Sequence, residues 1–159
     1  MKETTLLVAA LVPIIVLFIK KKRLKKSKKE EAAACLLPLL KQIKGNTLRY
    51  VSPARVQTEN TKNNEFKEIM DLIHECSDQK AKHEVYLPKR LSSQIDSFLS
   101  KWSSHCAEYT STRNYTEPGN VEYFAYHTQK DVDRKREIVR IVEKDMIREF
   151  DDIVNTFKR

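Results

Sequence analysis

Residues 132–157 read VDRKREIVRIVEKDMIREFDDIVNTF. Within them Val132, Val139, Val142, Met146, Phe150, Ile153 and Phe157 recur at steps of three, four and seven. That spacing marks one face of a helix with 3.6 residues per turn. Ile138, Ile141, Ile147 and Val154 widen the stripe beyond the narrow seam of a two-stranded coiled coil. A helix with so broad an apolar face must bury it against other helices, and its width leaves room for part of it to meet another subunit. If the helix starts as early as Val121 it is roughly 55 Å long, with a bend expected near His127–Thr128.

Two further stripes lie upstream. Phe66, Ile69, Met70 and Ile73 sit at i, i+3, i+4, i+7, behind Asn63 or Asn64 as an N-cap, in a helix running to about Lys82. Leu91, Ile95, Phe98, Leu99 and Trp102 form another after Pro88, which suits a first helical position, and this helix extends to about Glu108. Residues 30–44, EEAAACLLPLLKQIK, carry Leu36, Leu40 and Ile43 at helical spacing. Pro38 is expected to bend that helix and Gly45–Asn46 to end it. Thr47–Ser52 has weak strand character before Pro53, and 46–62 reads as a connection. The 109–120 segment, with Glu117–Pro118–Gly119–Asn120, is loop chemistry. Two glycines and five prolines in 159 residues are too few turn formers for a compact all-β fold. The fold class expected is all-α: an N-terminal transmembrane helix followed by a small cytosolic bundle of about four antiparallel helices.

The charge is unevenly placed. Thirty basic and 22 acidic residues leave a formal +8, and residues 1–29 hold all of that excess. Residues 30–159 carry no net charge, which argues against a dedicated nucleic-acid binder. Within the N-terminus, Thr4–Ile19 (TTLLVAALVPIIVLFI) is free of charge. Thr4, Leu6, Val8, Leu11, Pro13, Ile15, Leu17 and Ile19 are expected to lie in a membrane-spanning helix of about 24 Å. That is short for a hydrocarbon core of roughly 30 Å; snorkelling lysines and local bilayer thinning make up the difference. The charges come after the apolar run instead of preceding it, which opposes a cleaved signal peptide. The expected organisation is therefore an extracytoplasmic 1–3, an anchor 4–19, a basic juxtamembrane segment 20–29 and a cytosolic helical domain 30–159. The localisation expected is the cell membrane, single-pass, with the N-terminus outside and the C-terminal domain cytosolic.

Lys20, Lys21, Lys22, Arg23, Lys25, Lys26, Lys28 and Lys29 are the candidates for contact with anionic lipid headgroups. The plainer reading makes them the flank that stops translocation. Tyr109, Arg113, Tyr115, Tyr123, Phe124 and Tyr126 gather the residue types favoured at binding hot spots and are candidates for contact with a protein partner. The alternative is that they seal the end of the bundle.

Catalytic chemistry is thinly represented. Gly45 and Gly119 cannot make a phosphate loop, and neither HExxH nor GxSxG occurs. Asp71, His74, Glu75 and Asp78 share a helix face, and Asp71–Leu72–Ile73–His74 is the one ExxH-like element, where a di-metal bundle needs two. His105 and Cys106 are adjacent but point about 100° apart on a helix. Cys35, Cys76 and Cys106 are odd in number and widely spaced, which fits free thiols. No cofactor and no metal are expected. The function expected is a membrane-anchored helical interaction module, an adaptor or scaffold, meeting an unidentified protein or a second copy of itself. The competing reading is a tethered enzyme using a His/Asp or Cys/His site.

Overall fold

In the computed structural model the backbone is described for residues 2–52, 59–111 and 121–158, and side chains for 17–52, 61–111 and 129–158. The described residues form α1 (Lys2–Tyr50), α2 (Glu59–His83), a 3₁₀ turn (Glu84–Tyr86), α3 (Lys89–Ser111), α4 (Val121–Ile141), a π-helical turn (Val142–Met146) and α5 (Ile147–Lys158). The last three run on without a break, so four helical rods build the bundle. No strand occurs among the described residues.

The apolar stripes meet in one core. α1 contributes Ala32, Leu36, Leu40 and Ile43; α2 gives Ile69, Ile73 and Cys76; α3 gives Leu91, Ile95, Phe98, Leu99, Trp102 and Cys106; the last rod gives Ile138, Val142, Met146, Ile153 and Phe157. α2 packs between α1 and α3, and α5 also packs on both of them, so α1 and α3 lie on one diagonal of the bundle. Phe98 and Trp102 meet edge to face, with centroids 6.0 Å apart, at the centre of α3. Trp102 is fully buried.

α1 departs from expectation at its C-terminal end. It runs through Pro38, Gly45 and Asn46 to Tyr50, in place of the expected helix end and weak strand. Thr47 and Tyr50 continue the stripe of Leu36, Leu40 and Ile43 at helical spacing, and all five are fully buried. Tyr50 stacks edge-on against Tyr109 at 5.2 Å, and its hydroxyl shares a 2.6 Å hydrogen bond with Thr110. Burial of this stripe outweighs the local preference of Gly–Asn to stop a helix and of Thr–Leu–Arg–Tyr to extend. Pro38 is exposed, where a bundle neighbour does not meet its ring.

The π-helical turn at Val142–Met146 inserts an extra residue into the last rod. Val142 and Met146 within it are both buried, and the stripe goes on beyond it with Ile153 and Phe157 buried. Ile147, counted in the sequence stripe, is turned outward and 42% exposed. Ion pairs tie the rods at their edges. Lys80 lies between Asp96 and Glu84, 2.8 Å from each, and Ser92 donates to Glu84 at 2.6 Å. Lys101 of α3 reaches Glu149 at 2.6 Å and Asp145 at 3.9 Å, at the C-terminal end of the π turn.

The membrane placement expected from the sequence is corrected. The backbone of 4–19 belongs to α1, but the side chains of Thr4, Leu6, Val8, Leu11, Pro13 and Ile15 lie outside the described residues. Among the described residues no helix is long and apolar enough to cross a membrane. Of the expected span the described side chains are Leu17, Phe18 and Ile19. Charged residues come next, and from Ala32 onward the helix is a wall of the bundle. The single-pass, N-terminus-outside localisation is withdrawn on that finding.

Candidate functional site

The most distinctive surface is the part of α1 that precedes the bundle. Lys20–Ser27 are all exposed, Lys28 and Lys29 are half-exposed, and the first core residue, Ala32, comes three positions later. One continuous helix thus holds a cationic arm and a wall of the core. At about 100° per residue the eight cations spread around nearly the whole circumference. Two of them are paired: Lys28 donates to Glu31 at 2.7 Å, and Lys26 lies 4.0 Å from Glu30. The hydrogen bond from Lys28 holds the Glu31 carboxyl below its usual range and raises Lys28 in return. Lys20, Lys21, Lys22, Arg23, Lys25 and Lys29 make no ion pair among the described residues. Leu17, Phe18, Ile19 and Leu24 are exposed on the same arm, by 66%, 72%, 46% and 60%.

The aromatic candidates are only partly visible. Tyr109 is half-buried, packs on Tyr50 and carries the Lys135 ammonium 5.7 Å from its ring centroid; burial raises its hydroxyl pKa. Its position is that of a packing residue at the end of the bundle. Arg113 and Tyr115 lie outside the described residues. Tyr123, Phe124 and Tyr126 fall in the backbone of α4, with their side chains outside the described residues.

The catalytic candidates are not brought together into a site. Asp71, His74, Glu75 and Asp78 are all exposed on the outer face of α2. A shallow groove of about 410 Å³ beside them is lined by Asn64, Lys67, Glu68, Asp71, Leu72 and Glu75, without His74. Among the described residues no group of three or more His, Cys, Asp or Glu side chains is placed to hold a metal ion. Burial pushes the Cys76 thiol up to about 12 and the Cys106 thiol up to about 11. Both are therefore protonated near neutrality and poor nucleophiles. Cys106 donates a long hydrogen bond to Thr47, 3.8 Å away, and is a core residue. His105 packs on Trp102 at 5.4 Å between centroids, with Glu108 3.9 Å from its Nδ1. Burial is the main cause that lowers its pKa, and neighbouring Lys101 acts in the same direction.

Sequence reasoning missed two features of this framework. One is the Lys80 clamp at the α2–α3 corner: its side chain is 11% exposed, and although burial pulls the pKa down, hydrogen bonds to Asp96 and Glu84 raise it overall. The other is the Glu108–Arg134–Glu137 chain, in which Arg134 donates to Glu108 at 2.6 Å and to Glu137 at 2.7 Å and ties α4 to α3. Only the i,i+3 and i,i+4 members of these networks, Arg134–Glu137 and Lys80–Glu84, leave a signal in sequence spacing. Comparison with protein-family models, with curated proteins and with solved structures finds no match to this chain.

Proposed function

We propose that the chain is a helical interaction module: a neutral four-rod bundle that holds a cationic helical arm in the open. One observation carries this reading. The residues of α1 from Lys20 to Ser27 are exposed throughout, while the same helix from Ala32 to Tyr50 is fastened into the core. A charge run on a flexible tail loses conformational entropy when it is ordered on a partner. A run on a helix rooted in a core is already ordered and binds without much of that loss. The exposed face of His74 and the protonated, buried thiols give no comparable support to catalysis.

The test is a capture experiment with the tagged full chain beside a variant in which the eight basic residues of the arm are replaced by glutamine. Bound material is read by mass spectrometry and lipid analysis. The reading expects a near-stoichiometric partner that the variant loses. A partner retained equally by both chains would move recognition to the bundle, and no partner for either chain would remove the basis for the reading.

A further inference from the structure

The arm's chemistry narrows the kind of partner it fits, given the reading above that the arm is the recognition element. Eight cations in ten residues occupy about 15 Å of helix, close to one positive charge per 2 Å. A second copy of this chain does not balance that density, because two such arms repel. The acidic groove on α2 offers Glu68, Asp71 and Glu75, and Glu68 is already engaged by Asn46 at 3.1 Å and Arg49 at 3.6 Å. A match requires phosphates in a dense array, as on a nucleic acid or a phospholipid surface.

Three features favour the lipid. First, Leu17, Phe18, Ile19 and Leu24 are exposed on the arm itself. A phospholipid surface has hydrocarbon directly beneath its phosphates, whereas a nucleic-acid backbone offers these side chains no apolar receptor. Second, seven of the eight cations are lysine. Lysine is a point charge on a long apolar stem, suited to a diffuse headgroup layer; the planar bidentate fork of arginine suits base and phosphate recognition. Third, residues 20–29 contain no aromatic side chain for stacking on bases.

We propose that Lys20–Lys29 binds the phosphate layer of an anionic phospholipid surface, with Leu17–Ile19 resting at the boundary between headgroups and hydrocarbon. The contact is made from one side of the bilayer and involves no crossing of it. Because the arm is continuous with the bundle's first wall, binding would hold the bundle at a fixed offset from the surface.

The full chain is sedimented with vesicles of phosphatidylcholine alone and with vesicles containing about 30% phosphatidylglycerol, at about 0.1 M salt. The expected result is a partition coefficient at least ~100-fold higher on the anionic vesicles. A variant with Lys20, Lys21, Lys22, Arg23, Lys25 and Lys29 replaced by glutamine keeps residues 1–19 and the core; circular dichroism and the thermal midpoint check its fold. Each neutralised cation is expected to lower anionic-vesicle binding by up to roughly five-fold, so the variant should bind both vesicles alike. Raising salt to about 0.5 M should erase most of the parent's preference. Equal binding of the parent to both vesicles overturns the lipid assignment. So does an unchanged preference in the variant, or tighter salt-dependent binding to a mixed-sequence oligonucleotide. If vesicles fail but the eight-residue glutamine variant still loses a captured protein, the interaction module stands and the lipid assignment alone falls. If each glutamine variant matches the parent in its own experiment, both fall.

Discussion

Replacing Gly45 by alanine is expected to stabilise the protein by about 1 kcal/mol. The sign of that change separates two descriptions of α1. If Gly–Asn ended the helix, Gly45 would sit in the left-handed region as a cap, and alanine there would cost about 1–2 kcal/mol. In the structure Gly45 lies in the helix interior, five residues before its end, and is exposed. A Cβ built on it meets no heavy atom within 4 Å. Nothing therefore offsets the gain in helix propensity, part of which comes from fewer conformations in the unfolded chain. With a urea dependence of about 2 kcal/mol/M, the unfolding midpoint followed by circular dichroism should rise by roughly 0.5 M at unchanged slope. The thermal midpoint should rise by about 2–4 °C. A midpoint that falls would show that α1 stops near Gly45 and that the Thr47–Tyr50 turn is not helical.

Other outcomes concern the core and its edges. Lys80→Ala and Asp96→Ala should show a coupling of about 1 kcal/mol in a double-mutant cycle, held to that size because the Asp96 carboxylate is 59% exposed; additivity would show that the clamp does no more than decorate the corner. His105 has a pKa held below its ordinary 6.5 by burial, so the folded state resists its protonation. Stability from this group is complete above about pH 6.5, its unfolded value, and is lost as pH falls from there through its lower folded value; His105→Gln should flatten the urea midpoint below about pH 6.5, with the carboxylate contributions of Glu84 and Glu108 lost only at lower pH still. A thiol reagent at about pH 8 should label Cys35, which is partly exposed, and spare Cys76 and Cys106 until denaturant is added; labelling of three thiols in the folded protein would contradict the burial of the latter pair.

The stripes most legible in the sequence are those with uninterrupted helical spacing. Leu91, Ile95, Phe98, Leu99 and Trp102 are all buried, as their spacing predicts, and so are Leu36, Leu40 and Ile43. The end of α1 escapes a sequence reading because Gly45, Asn46 and the β-tending Thr47–Val51 are local signals, while the burial that overrides them comes from α3 through Cys106, Tyr109 and Thr110. The π turn leaves no mark in the sequence, because the buried residues in it and beyond it, Val142, Met146, Ile153 and Phe157, still recur at ordinary helical steps. Of the candidate site, the density of the basic block is plain from composition. Its continuity with the core is not, since a charge run carries no signal of whether its helix is rooted in the bundle that begins at Ala32. The Thr4–Ile19 run reads as a membrane crossing on hydropathy alone, and the described residues hold no helix that meets that requirement.

The continuity of arm and bundle underlies the proposed function and can be measured as a distance. Spin labels placed by Leu24→Cys and Gln42→Cys, both exposed positions, in a chain with Cys35 replaced by serine, span eighteen residues of α1. An unbroken helix separates their backbones by about 27 Å. Pulsed electron–electron resonance should return one narrow distance near that value, adjusted for the label tethers. A broad distribution, or a short distance showing the arm folded back on the bundle, would contradict a rooted arm and with it the interaction module built on it.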